Sequence, residues 1–335
     1  MSKFGIILPV RNGGTYVHEC VKSILAQTLP DFQLQVLDNC STDGTREWLE
    51  SLHDDRIRIY PAEKPLTIEE NWSRIVEIPK NEFITLIGHD DILDSQYLSV
   101  MDRLIEAHPH ASLYQAHFRY IDSSGQTIRK SKPMDKIQTS LEFCALFLAG
   151  SIDTMGTGFM MRATDYNAVG GIPSSYPNLL FADFELWINL TSINYKATAF
   201  EECFAFRLHQ STTTTSSDQI FHQAFGKFIH YLSQLKQKDP EMSDVINRYA
   251  INFIHFYTKG LVHRLLRSPK NKRNGITVDG LIRESQRMAD ELVPGNQFNP
   301  NAQPGVKLAR QIDSNYISRQ LFLFFKKVYK NPIYS

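Results

Sequence analysis

The chain has 335 residues, 42% of them hydrophobic and 21% charged, and a formal net charge of zero. That composition supports one large domain or two ordinary ones and excludes a disordered chain or a molecule that acts as a polyelectrolyte over its whole surface. The charge is unevenly spread, with 22 Lys+Arg against 31 Asp+Glu in residues 1–249 and 14 against 5 in residues 250–335. Such asymmetry points to an anionic partner for the basic part or to its docking on the acidic body. The four cysteines, Cys20, Cys40, Cys144 and Cys203, form no Cys-x-x-Cys pair. They argue against a zinc knuckle or disulfide framework and for packing in a reducing compartment. The apolar run 4–10 is too short for a signal segment or a membrane span, so a cytoplasmic protein is expected.

Phe4-Gly-Ile-Ile-Leu-Pro-Val10 is continuously apolar, as in a parallel strand buried on both faces. Arg11-Asn-Gly-Gly14 is a turn, after which Thr15 can cap a helix running to about Gln27. Residues 32–37 form a second strand ending at Asp38, and Ser41–Thr45 turns into a helix over 46–52. Residues 57–60 form a third strand, 67–76 a helix, and 83–87 a fourth strand ending at Gly88-His89-Asp90-Asp91. Three strand–helix units and a further strand predict a doubly wound α/β sheet, in which ligands sit beyond the carboxyl ends of the strands. The polar clusters at 11–14, 38–45 and 88–91 all fall at such ends. A helix over 95–108, a strand over 112–121 and a turn at Ser123-Ser-Gly125 follow. Residues 130–139 read as a polar, mobile connection. Strands at 156–161 and 196–206 flank a helix near 183–191. From about 218 the pattern turns helical, over 219–237, 243–266, 277–292 and 306–329, with a Pro/Gly-rich linker at 293–305. The expected division is 1–217 and 218–335.

His89-Asp90-Asp91 is the sharpest chemical signal. Adjacent carboxylates at a strand end repel each other, and a divalent cation bridging a diphosphate relieves that repulsion. An Asp pair that opens a helix has the same local appearance. Asp38 and Asp43, in Leu37-Asp-Asn-Cys-Ser-Thr-Asp-Gly-Thr45, can accept hydrogen bonds from a nucleotide, or simply form an Asx turn with a cap.

Taken together, Ile6-Ile-Leu-Pro-Val-Arg-Asn12, Val36–Thr45 and Phe83-Ile-Thr-Leu-Ile-Gly-His-Asp-Asp91 resemble the family-2 glycosyltransferases in order and spacing. The resemblance, over about residues 3–212, implies a nucleotide-binding α/β domain of the glycosyltransferase A type, here with a mainly helical C-terminal extension. It implies nucleotide-sugar contacts for Pro9, Asn12, Asp38, Asp43 and Asp90. Glu69-Glu-Asn-Trp-Ser-Arg74 resembles the family's Asn-containing helix, which puts Asn71 and Arg74 near the diphosphate. Asp91 matches the usual metal ligand. In Phe206-Arg-Leu-His-Gln-Ser211, Arg207 matches a residue facing the diphosphate and His209 one that completes the metal's coordination. Gly156–Arg162 and Val169-Gly-Gly-Ile172 resemble the acceptor-side strand and turn. In Phe181-Ala-Asp-Phe-Glu-Leu-Trp187, Asp183 takes the position of the catalytic base, with Glu185 as its alternative.

Two departures stand out. His89 replaces a common Asp, which leaves the metal site one carboxylate short, and Ala182 replaces a Glu. The implied activity is inverting transfer of a sugar from a nucleoside-diphosphate donor to a glycan or lipid-linked acceptor, with Mn²⁺ or Mg²⁺ as cofactor and no nucleic-acid partner. Two other readings remain at this point. A nucleotidyltransferase would want a basic Gly-rich loop, to which Arg11–Gly14 contributes one cation, and a nucleotide-sugar-binding module without catalysis would account for His89 and Ala182. The stretch 318–330 carries Phe and Lys at helical spacing, which suits peripheral contact with anionic lipid as well as packing on the protein. Residues 130–139 or 211–217 can close over the site.

Overall fold

The computed structural model describes residues 2–208, 217–268 and 270–328. It divides into two compact units, Met1–Thr215 and Ser216–Ser335.

The first unit is built on one mixed sheet. β1 (Phe4–Val10), β2 (Phe32–Asp38), β3 (Ile57–Ile59) and β4 (Phe83–Leu86) are parallel and lie in the order β3-β2-β1-β4. Every residue of β1 is buried, because helices cover both faces of a central parallel strand. β1 is flanked by β2 on one side and β4 on the other, so the strand order reverses there. The crevice that such a reversal opens lies beyond Val10 and Leu86. α1 (Gly14–Leu25) buries Val17, Cys20, Val21 and Ile24, the i, i+3, i+4, i+7 stripe of a helix seated on a sheet. α2 (Thr45–Ser51) and α3 (Ile68–Ser73) complete the wound half, and α3 runs on into a 3₁₀ turn at Arg74–Val76.

Beyond β4 the sheet stops being doubly wound. β5 (Ile92–Leu93), α4 (Tyr97–Ala107), β6 (Leu113–Ile121) and β7 (Thr127–Lys130) follow, β6 and β7 closing on the 123–125 turn. The expected mobile connection at 130–139 instead contains β8 (Ile137–Thr139), antiparallel to β10 (Tyr195–Arg207), and Thr139 then caps α5 (Ser140–Leu148) through a capping box with Glu142. β9 (Phe159–Arg162) inserts antiparallel between β4 and β6. α6 (Ala163–Ala168), α7 (Ala182–Ile193) and β10 (Tyr195–Arg207) complete the unit, β10 pairing parallel to β6.

The second unit contains α8 (Asp218–Lys238), α9 (Pro240–Arg267), α10 (Val278–Leu292), α11 (Pro304–Ser314) and α12 (Tyr316–Val328). α9 packs on α8, α10 and α11. A buried Arg273–Asp313 ion pair of 2.7 Å fastens the end of α11. The single helix expected over 306–329 is two. Asn315 leaves the helical region (φ −115°, ψ 124°), and its Oδ1 accepts the Ser318 amide at 3.1 Å. An Asn side chain that satisfies an orphan amide starts a new helix in this way.

Candidate functional site

Two strand-end loops are sewn together beyond β1 and β2. α1 opens at Gly14 with no cap from Thr15; its first amides are satisfied from the other loop. Asp43 Oδ2 accepts the Gly14 amide (2.9 Å) and Thr45 Oγ1 the Gly13 amide (3.1 Å). In return Asn12 donates its amide to Ser41 Oγ (2.9 Å) and accepts the Thr42 amide on Oδ1 (2.8 Å). Asn12 is left-handed (φ 52°), a conformation Asn tolerates better than most residues. Asp38, buried at the end of β2, accepts the Ser41 amide at 3.4 Å. Burial works against the charge of Asp43, but the bonds from Thr45 and Gly14 outweigh it and hold the carboxyl below its usual range. Pro9 is a buried residue of β1 opposite Leu37. Asn71 donates to Leu37 O (3.3 Å) and accepts from Arg74, which also donates to Tyr60 O (2.7 Å). Both residues therefore hold the ends of β2 and β3 rather than pointing their hydrogen bonds at the 88–91 turn.

That turn draws Asp91, which the resemblance matches to the usual metal ligand, into the protein. Its side chain is 1% exposed. Its Oδ2 accepts from Thr157 Oγ1 (2.5 Å) and its Oδ1 from the Arg207 amide (3.0 Å). Burial, and then repulsion from Asp90, push its proton affinity well above the ordinary carboxylate range. Asp90 is the half-buried carboxylate of the pair. Gly88 has room for neither carboxylate if given a side chain, since a Cβ there would lie 2.7 Å from Asp90 Oδ1 and 3.1 Å from Asp91 Oδ2. The two carboxylates thus converge over one glycine, and a divalent cation suits such a pair. Among the described residues no group of three or more His, Cys, Asp or Glu side chains is arranged to hold a metal. His89 is half-buried beside the pair. His209 and the 211–216 run lie outside the described residues.

Arg207 is likewise enclosed. Expected to face a diphosphate, its side chain is 0% exposed and its donors are spent internally. Nε donates to Asp90 O (2.8 Å), Nη1 to Asp122 O (3.2 Å) and Nη2 to Glu19 Oε2 (2.6 Å), and the guanidinium lies 4.6 Å from the Tyr16 ring. Arg207 therefore clamps the 88–91 turn to α1 and to the β6–β7 hairpin.

α7 supplies the other side. Trp187 is fully buried, stacks on Phe159 at 4.4 Å and donates Nε1 to Met155 O at 3.0 Å. One turn earlier on the same face stands Asp183, whose Oδ2 would lie 3.5 Å from a Cβ on Gly156. The next residue, Thr157, holds Asp91, and Gly158 (φ 78°) presses against Phe204 so closely that a Cβ would sit 2.7 Å from the ring. The Gly156-Thr157-Gly158 segment therefore joins the Asp183 carboxylate to the Asp90–Asp91 pair. Burial raises Asp183 from its ordinary 3.8 to about 7, against the opposing pull of the Phe184 amide. Glu185 is also raised by burial, and Tyr176 donates to its Oε2 at 2.5 Å. The approach to α7 is strained: Asn178, Leu179 and Phe181 are non-glycine residues at φ 53°, 55° and 71°. Glu69 of α3 accepts the Asn178 amide at 2.5 Å and pins this segment.

Thr157, Glu19 and Glu69 are not singled out individually in the sequence, because each acts on a partner distant along the chain; Tyr176 acts on Glu185 nearby, but only after the strained turn brings them together. A cavity of about 460 Å³ lies at the amino end of β4, lined by Lys80, Asn81 and Arg162. It contains none of the expected site residues.

Residues 5–169 match the family described as Glycosyl transferase family 2. The chain is 25% identical over 122 residues to "Glycosyltransferase GlyG" of Streptococcus pneumoniae, a match covering 36% of this chain and 40% of that protein. The chain thus spans well under half of GlyG's length. It is 23% identical over 220 residues to "Putative teichuronic acid biosynthesis glycosyltransferase TuaG" of Bacillus subtilis, covering 63% of this chain and 81% of TuaG. The crystal structure of S. aureus TarS 1-349 in complex with UDP is similar in fold, with a TM-score of 0.63 at 16% identity, covering 97% of this chain and 91% of that one. The fold is accordingly a glycosyltransferase A domain followed by a helical C-terminal part.

Proposed function

The chain belongs to glycosyl transferase family 2, and from that premise we propose that it moves a sugar from a nucleoside-diphosphate donor to an acceptor hydroxyl by a single displacement with inversion. The observation that carries this reading is the Gly156-Thr157 link, with a carboxylate of raised proton affinity at one end and a converging carboxylate pair at the other. Glycosyl transfer needs one group that accepts a proton and another that receives a charged leaving group, on opposite sides of one carbon.

In this account Asp183 accepts the proton of the acceptor hydroxyl as its oxygen bonds to the anomeric carbon. The bond to the donor's phosphate oxygen breaks, and the nucleoside diphosphate leaves with that electron pair. A base with proton affinity near neutrality combines the right protonation state with driving force. Asp90, with Asp91 behind it, would hold a divalent cation, Mn²⁺ or Mg²⁺, which when bound neutralises the diphosphate. Asp91 and Arg207 keep the turn rigid, so Asp90 would hold the cation and Asp91 would support it. The sewn loops at 12–14 and 38–45, with Asn71 and Arg74, form the nucleoside end. We assign the reaction to residues 1–217.

UDP bound to TarS favours a nucleotide donor here, and TuaG's name favours an acceptor within a surface polymer. The test is calorimetric titration of UDP with Mn²⁺ or with chelator. Wild type should bind more tightly with Mn²⁺, Asp90→Asn should lose that dependence, and Asp183→Asn should keep it. UDP affinity indifferent to chelator would sink the cation assignment.

A further inference from the structure

α12 has two faces of opposite character. On one, Arg319 is 7% exposed and donates Nη2 to Ser268 O at 2.7 Å, which fastens the helix to the residue following α9. On the other, Ile317, Leu321, Phe324 and Val328 recur at 4-3-4 spacing and are 69%, 64%, 68% and 59% exposed, with Tyr316 at 75%. Scattered apolar residues on a surface need no explanation, but a stripe running the length of a helix marks a contact surface.

Two occupants suit that spacing, a second copy of the helix or a lipid surface. The charge separates them. Within α12 there is no Asp or Glu; of its cations Arg319 is held against the protein by Ser268 O, which leaves Lys326 and Lys327 near the end of the helix. Pairing two such helices brings only cations together, while an anionic bilayer accepts the apolar stripe and attracts the basic side chains. At 13 residues α12 is too short to span a bilayer, and no described helix is long and apolar enough to cross one. We infer that α12 is an interfacial anchor that lays its Ile317–Val328 stripe into the surface of an anionic membrane. This inference does not depend on the transfer reaction.

The test is co-sedimentation of the full chain with phosphatidylcholine vesicles, with and without about 30% phosphatidylglycerol. The wild type should bind the anionic vesicles and release as salt rises. Leu321→Glu with Phe324→Glu should weaken binding about tenfold or more, from the two large side chains withdrawn from the membrane. Both residues are exposed, so the variant should melt with the wild type. Failure of the wild type to bind anionic vesicles, or equal binding by the variant, would overturn the inference. So would a dimer by light scattering that the variant dissociates.

Discussion

The two sides of the crevice use carboxylates in opposite ways. On the β1–β2 side Asp43 and Asp38 accept backbone amides, and Asp43 is held ionised by its bonds to Gly14 and Thr45. On the α7 side Asp183 and Glu185 lie where burial favours the protonated form, and Asp183 is pushed up to about 7. The difference separates scaffold from chemistry. A carboxylate surrounded by amides fixes a loop and has little tendency to take a proton, whereas one deprived of water is ready to exchange one.

The largest effect expected from that contrast is on transfer. Asp183→Asn keeps the shape and removes the proton acceptor, so turnover should fall about 10²–10⁴-fold. Nucleotide affinity should stay constant, because the base acts only in the transition state. Steady-state transfer and calorimetric donor binding, measured separately, check this; a parallel loss of binding would make Asp183 a structural residue.

On the other side the expected loss is in stability. Asp43→Ala removes the acceptor for two amides, one at the start of α1 and one at the start of α2, and should cost about 0.5–2 kcal/mol by denaturant unfolding. Because the folded proton affinity of Asp43 is depressed, its contribution is present above the ordinary carboxylate range and is lost as pH falls through the folded value. An unchanged midpoint in Asp43→Ala would show that the two loops are not held this way. The smallest effect should come from Glu185→Gln, since the amide oxygen still accepts from Tyr176. Transfer should then change less than about tenfold. If Glu185→Gln abolishes transfer and Asp183→Asn does not, the base is Glu185.

The same contrast explains what could be read from the sequence. The run Phe4–Val10 announces a doubly buried strand, and the short polar residues at 12, 38 and 43 announce strand-end loops, because those signals are local. The roles of individual residues were less visible. Asp90 and Asp91 are neighbours in sequence, but only the arrival of Thr157 and the Arg207 amide decides which of them is buried. The antiparallel insertion of β9 between β4 and β6 depends on pairings more than 40 residues away in the chain. Arg207 reads as an anion-facing residue until Glu19 and Asp122, far apart in sequence, take its donors. β8 and the break at Asn315 likewise leave no local signal, the first because its partner is β10, the second because one Asn side chain decides it.

On the proposed mechanism, burial turns Asp183 into a base poised near neutrality. The most direct test is the pH dependence of kcat/KM for transfer, which reports groups of the free enzyme. The rate should rise with pH through a single ionisation near about 7, and Asp183→Asn should abolish that limb. Linkage adds an independent check: a raised folded value makes this group's stability contribution largest below its ordinary 3.8, and that contribution should decline as pH rises toward about 7. Unfolding of the wild type should show the decline and Asp183→Asn should not. A kcat/KM profile that is flat from about pH 5 to 8, or that rises only in the ordinary carboxylate range, would contradict the account.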